Sequence, residues 1–189
     1  MKIIETAIPE VVLIEPLPIE DTRGHLFESY HQRRFAAAGI TDNFVQDNQV
    51  FSVRGVLRGL HYQIEHPQAK LCRVISGEVL DVVVDIRRGS PYFGKSVSTI
   101  LTAENRRQVY VPKGFAHGYL VLAEAAEFLY KCSDFYYPEY DRGVIWNDTE
   151  LAIDWGINNP ILSVKDEELP RLAQVASQEL PKFPDDGLK

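Results

Sequence analysis

The chain has 189 residues, which suits one domain able to bury a sizeable core without staples. Hydrophobic residues make up 45% and charged residues 25%, an ordinary globular balance that excludes disorder and collagen-like structure. The net charge of −7 argues against a general nucleic-acid binder, which carries a basic surplus; local arginines can still bind a phosphorylated small molecule, because salt screens the global field beyond about 10 Å.

No apolar run approaches the roughly 18 residues that a transmembrane helix requires. The opening ten residues lack the long apolar stretch and small-residue cleavage site of a signal peptide. Cys72 and Cys132 each sit inside an apolar stretch and read as reduced core thiols. These features predict a cytoplasmic protein with a single domain over residues 1–189.

Extended runs rich in β-branched and aromatic residues recur between turn signals. They predict strands at residues 10–14, 25–30, 44–51, 55–62, 71–75, 79–86, 95–100, 108–111, 118–122 and 126–132. Ser76-Gly77-Glu78 reads as a tight hairpin turn, since glycine accepts the positive φ that such turns demand. Only residues 31–38, closed by Gly39, and the segment after Pro170 have a helical look. The acidic, proline-containing end from Pro181 to Lys189 is expected to be loosely held. Many short strands without long helices predict an all-β sandwich or barrel with a few short helices.

A barrel buries one face of each strand and opens a mouth to ligand, so polar residues on apolar strands are informative. His61 lies in Gly55-Val56-Leu57-Arg58-Gly59-Leu60-His61-Tyr62-Gln63, three residues from Arg58. Imidazole can accept and return a proton near neutral pH; a core histidine bonded to a carbonyl is the bland alternative. His117 lies in Pro112-Lys113-Gly114-Phe115-Ala116-His117-Gly118, which resembles half of a metal-cupin motif. The earlier half, however, reads His61-Tyr62-Gln63 followed by Lys70, a poor ligand set for zinc or iron.

Lys70 and Asp81 flank the predicted hairpin, so antiparallel pairing would bring them together. A lysine so held can aim its ammonium at an oxyanion, although a plain ion pair looks the same in sequence. Tyr130 ends an apolar strand; its phenol is a candidate general acid or simply a packing anchor. Arg23 and Glu28 lie five apart, and a turn or bulge at Gly24 is needed for both to serve one site. Arg23 and Arg58 are suited to bidentate diphosphate recognition.

These stretches, together with Phe44-Val45-Gln46-Asp47-Asn48, Ile145-Trp146-Asn147-Asp148 and Leu162-Ser163-Val164-Lys165-Asp166, closely resemble the dTDP-4-dehydrorhamnose 3,5-epimerase family. The likeness runs in order from about residue 10 to residue 166. It implies a cupin-type jelly roll (double-stranded β-helix), homodimeric, with N-terminal strands exchanged between subunits, a peripheral tail at 167–189, and neither metal nor cofactor. It implies conversion of dTDP-4-dehydro-6-deoxy-D-glucose to dTDP-4-dehydro-L-rhamnose, on the way to dTDP-L-rhamnose for cell-surface polysaccharide.

The resemblance also implies roles. His61 is the base, oriented by Asp166; Lys70, supported by Asp81, stabilises the enolate oxygen; Tyr130 returns a proton from the opposite face. Arg23, Glu28, Gln46, Asp47, Asn48, Arg58, Lys70, His117 and Lys165 match positions that contact nucleotide or sugar. Tyr136 matches an aromatic that stacks on the base, and Asp141 stands where an acidic contact, often glutamate, is expected. Leu26 and Val164 stand where an aromatic and an acidic residue are more usual. A single-carbon 3- or 5-epimerase on a related dTDP-4-keto sugar is the nearest alternative, disfavoured by Tyr130. A non-catalytic sugar-nucleotide-binding jelly roll is disfavoured by the trio His61, Lys70 and Tyr130, and a metal cupin oxygenase by Gln63.

Overall fold

A computed structural model describes residues 1–184; residues 185–189, the end of the tail expected to be loosely held, lie outside the described residues. In chain order the strands are β1 (Lys2–Glu5), β2 (Val12–Glu15), β3 (Ile19–Asp21), β4 (Gly24–Leu26), β5 (Gln46–Val53), β6 (Leu57–Gln63) and β7 (Lys70–Ser76). They continue as β8 (Glu78–Asp85), β9 (Ser96–Thr102), β10 (Gln108–Val111), β11 (Phe115–Val121), β12 (Ala125–Cys132) and β13 (Asp141–Gly143). Two short helices, α1 (Gln32–Ala37) and α2 (Val164–Glu167), complete the set with three single 3₁₀ turns.

Antiparallel pairing builds a six-stranded sheet in the order β1-β2-β10-β7-β12-β5, a five-stranded sheet in the order β13-β6-β11-β8-β9, and a separate β3-β4 hairpin. The two large sheets pack face to face as an all-β jelly roll, as predicted. Strand alternation explains how one strand serves two layers. On β11, Phe115, Tyr119 and Val121 enter the core between the sheets, whereas Ala116 and Leu120 point outward into a second apolar layer. That layer is closed by the C-terminal third of the chain through Val144, Leu151 and Trp155.

Three expectations fail here for physical reasons. Ser76-Gly77-Glu78 makes no hairpin: β7 belongs to the six-stranded sheet and β8 to the five-stranded one, so Gly77 is the corner between them. Its φ is +81°, and an added Cβ would lie 2.1 Å from the Ala125 carbonyl oxygen, which is why glycine stands there. The segment after Pro170 forms only 3₁₀ turns at Leu172–Gln174 and Ser177–Glu179. It is not merely peripheral either, because Leu172 and Leu180 are buried in the outer apolar layer. Strands β1, β3 and β13, with helix α2, lie outside the predicted elements; each is three or four residues long, too short to show a period. Among the described residues, no helix is long and apolar enough to cross a membrane.

Candidate active site

The opening of the barrel holds two adjoining cavities of about 230 and 200 Å³, and His61, Lys70 and Tyr130 line both. His61 comes from β6 of the five-stranded sheet, while Lys70 and Tyr130 come from β7 and β12 of the six-stranded sheet. The imidazole and the phenol therefore belong to opposite walls.

Arg58 and His61 both line the inner cavity, although a spacing of three would put them on opposite faces of a regular strand. The β6–β11 ladder resolves this. His117 pairs with His61 but Tyr119 pairs with Arg58, so β6 carries one extra residue, a bulge. Gly59, at φ +116°, sits in that bulge, and an added Cβ would lie 2.6 Å from the Gly118 Cα. The two glycines let the strands close up where side chains must be re-aimed.

His61 Nε2 and Asp166 Oδ1 are 2.5 Å apart. Asp166 is carried on α2, where Ser163 caps the helix by accepting from the Asp166 N–H at 3.1 Å. Burial pushes the Asp166 carboxyl up, but the His61 hydrogen bond and charge, with Ser163 and Lys165, more than offset it and hold the group below its ordinary 3.8. It remains a carboxylate that orients the His61 ring through Nε2. Tyr130 is the opposite case. Burial pushes its phenol up, and Cys132, Cys72 and Tyr119 add to the shift, so it keeps its proton at neutral pH and can donate it. The Lys70 ammonium lies 5.9 Å from the centre of the Tyr130 ring.

The outer cavity is a polar rim. The Tyr136 hydroxyl donates to Asp141 at 2.8 Å, and the Lys165 ammonium reaches the same carboxylate at 2.5 Å. Gln46 accepts from the Tyr136 N–H at 3.1 Å and donates to Asn48 at 3.2 Å. Gln63, read from sequence only as a missing metal ligand, is buried and clamps the loop bearing Tyr136. It donates to the carbonyls of His66 and Phe135 and accepts from the Tyr137 N–H. Arg58 donates to Ser52 at 3.2 Å on the inner side.

Several expected partnerships are redrawn. Asp81 does not support Lys70: its strand lies in the other sheet, and its Oδ2 bonds His117 Nε2 at 2.9 Å. Asp47 alternates with Gln46 and Asn48 and so faces away from the cavities, where Lys131 binds it at 2.9 Å. Arg23 bonds Asp21 and Glu28 pairs with Arg34, and neither lines the two cavities of this chain. Phe128, Tyr119 and Ser163 line the inner cavity without having been singled out; as ordinary core or capping residue types, they carried no local signal. Among the described residues no group of three or more His, Cys, Asp or Glu is placed to hold a metal ion.

A jelly roll whose cavities set an oriented imidazole against a protonated phenol, with an ammonium nearby, brings together groups suited to acid–base chemistry. A family profile described as dTDP-4-dehydrorhamnose 3,5-epimerase matches residues 5–174. The chain is 56% identical over 170 residues to the Pseudomonas aeruginosa dTDP-4-dehydrorhamnose 3,5-epimerase, covering 89% of this chain and 94% of that one. Its structure is similar to that of a Legionella pneumophila dTDP-6-deoxy-D-glucose-3,5-epimerase in complex with dTDP-4-keto-L-rhamnose, with TM-score 0.94, 48% identity, and coverage of 97% and 98% of the two chains. It is also similar to a Bacillus anthracis dTDP-4-dehydrorhamnose 3,5-epimerase with TDP and pyrophosphate bound, at TM-score 0.88 and 45% identity, over 90% and 98% of the chains. The chain belongs to the dTDP-4-dehydrorhamnose 3,5-epimerase family.

Proposed function

We propose that this chain epimerises C3 and C5 of dTDP-4-dehydro-6-deoxy-D-glucose, giving dTDP-4-dehydro-L-rhamnose, with His61, Lys70 and Tyr130 as the reacting groups. The observation that carries the reading is their arrangement: base and acid arise from opposite sheets and line the same two cavities.

The C4 ketone makes the hydrogens on C3 and C5 removable. His61 takes one as a proton, and the electron pair of the broken C–H bond delocalises onto the carbonyl oxygen as an enolate. Lys70 stabilises that oxygen by charge. Tyr130 then gives its proton to the opposite face of the same carbon, which inverts it. The substrate gains and loses one proton, so the imidazolium and phenolate left behind must be reset by exchange with water. A positioned acid or base contributes about 10²–10⁴-fold and an oxyanion donor about 10²–10³-fold. Arg58, His117 and Lys165 line the inner side, and Gln46, Asn48, Tyr136 and Asp141 the outer rim; in this reading they hold the nucleotide sugar.

Arg23 and Glu28 serve the site only if a second copy supplies them. Leu17, Ile19 and Leu26, in and beside the β3-β4 hairpin, are 69%, 72% and 71% exposed, an apolar surface that favours burial against another chain. A homodimer with exchanged N-terminal strands accounts for both facts, and sedimentation of the purified protein tests it. The chemistry is tested by proton NMR of the keto sugar in deuterated water, coupled to a reductase that traps the product. Deuterium is expected at C3 and C5 of a rhamnose-configured product; incorporation at one carbon alone would assign a single-carbon epimerase.

A further inference from the structure

Phe128 stands between the two walls of the site. It is 1% exposed, lies on β12 two residues before Tyr130, and lines the inner cavity. Its ring stacks on Tyr119 at 4.2 Å and 21°, and on His117 at 6.2 Å and 25°. It also meets Tyr130 at 6.1 Å and 47°. His117 and Tyr119 belong to β11 of the five-stranded sheet, whereas Phe128 and Tyr130 belong to β12 of the six-stranded sheet. One flat side chain therefore touches the acid on its own strand and two rings of the wall opposite.

That wall is the one bearing the base. His117 is the direct cross-strand partner of His61, so Phe128 packs against the wall from which His61 projects, while the His61 ring itself is held separately by Asp166 on α2. A buried ring stacked on two others resists displacement, because close-packed interiors leave no free volume for sliding. Inversion demands that base and acid reach opposite faces of one sugar carbon. A misplacement of about 1 Å can cost around 10²-fold in rate.

We propose that Phe128 is a positioning residue that sets the gap between the His61 wall and the Tyr130 wall, and so decides which face of the enolate is reprotonated. The proposal rests on the assignment of His61 as base and Tyr130 as acid. Proton removal needs only the base side, while inversion needs both sides at the correct separation. Loosening Phe128 should therefore separate the two processes, an outcome that general destabilisation would not give.

The test is Phe128→Leu, which removes the flat ring while keeping an apolar side chain, with hydrogen exchange and product formation followed by proton NMR in deuterated water. Exchange is expected to stay within a few-fold of the unaltered enzyme while inversion falls about 10–100-fold, with dTDP affinity unchanged by calorimetry. A parallel fall of exchange and inversion, or no change in either, overturns the proposal. Tyr130→Phe in the same assay separates the two claims. If that variant inverts at full rate, the acid assignment itself fails; if it separates exchange from inversion and Phe128→Leu does not, only the role of Phe128 is lost. Should Phe128→Leu not fold, Phe128→Met carries the same expectation. On the unaltered protein with dTDP bound, Phe128 ring protons should show Overhauser contacts to both His117 and Tyr130, and absence of either overturns the proposal without any variant.

Discussion

His61 stands directly opposite His117 in the β6–β11 ladder, yet the two imidazoles are tied to different carboxylates. His61 is bonded to Asp166 on α2, and His117 to Asp81 on β8. The first ring is partly exposed to the cavities, its side chain at 29%, while the second is at 7%. The His61 ring therefore opens onto the cavities, whereas the His117 pair is built into the floor.

That difference predicts distinct variants. His61→Ala should abolish deuterium incorporation at both C3 and C5, a loss of about 10²–10⁴-fold for a positioned base. His117→Ala leaves the buried Asp81 carboxylate without its partner, which is costly, so a lowered melting temperature should accompany any loss of activity. Exchange kinetics beside a thermal melt measure both. Undiminished exchange by His61→Ala would remove the base assignment.

Tyr130→Phe deletes the phenol proposed as the acid but keeps the ring packed against Phe128. Exchange should persist while inversion falls, by about 10²-fold or more. Because burial raises the phenol above its ordinary 10.0, the unaltered enzyme should show no alkaline loss of rate from this group below that pH. A pH–rate profile checks the point.

Asp166 predicts an acid limb of stability. Its carboxyl is lower in the folded chain than its ordinary 3.8. Around and below about pH 4 the unfolded chain thus binds more protons than the folded one. The contribution is present above the unfolded value and is lost as pH falls through the folded one. Asp166→Asn should flatten this part of the denaturation curve, and it should also cut exchange by freeing the His61 ring. Urea melts between pH 3 and pH 6 test the first effect.

Gly118→Ala tests the close approach beneath the bulge. The added Cβ would meet the Arg58 carbonyl oxygen at 2.7 Å and the Gly59 Cα at 3.2 Å. Relief requires β6 to move, carrying Arg58 and His61 with it. A drop in kcat of about 10²-fold is expected for a shift near 1 Å, with a lowered melting temperature.

Leu172→Ala tests whether the C-terminal segment holds the outer layer. Leu172 is 5% exposed, and truncating such a leucine costs about 2–5 kcal/mol. For a domain of this size each kcal/mol lowers the melting temperature by about 2–4 °C. A shift under 2 °C would mean that the segment contributes little.

The strands that line the site were legible because their polar residues interrupt clear apolar runs. β10 falls where the pattern puts it, and β8, β11 and β12 differ only at their ends. That His61, Lys70 and Tyr130 would share one site was legible too, and all three line both cavities. Alternation along a strand separates Asp47 from Gln46 and Asn48. The short elements β1, β3, β13 and α2 escaped because three or four residues carry no period and form only against the rest of the fold.

Local pattern determined an all-β sandwich or barrel with an imidazole, a phenol and an ammonium on its strands, and the resemblance of its motifs to a known family narrowed that to a jelly roll. Tertiary structure decided the partnerships. Whether Gly77 turns a hairpin or changes sheets depends on what lies beside it, and that choice gave Asp81 to His117 rather than to Lys70. Likewise Phe128 reads as one more core aromatic until two sheets close on it, because contact between distant strands is set by packing and not by neighbours in the chain.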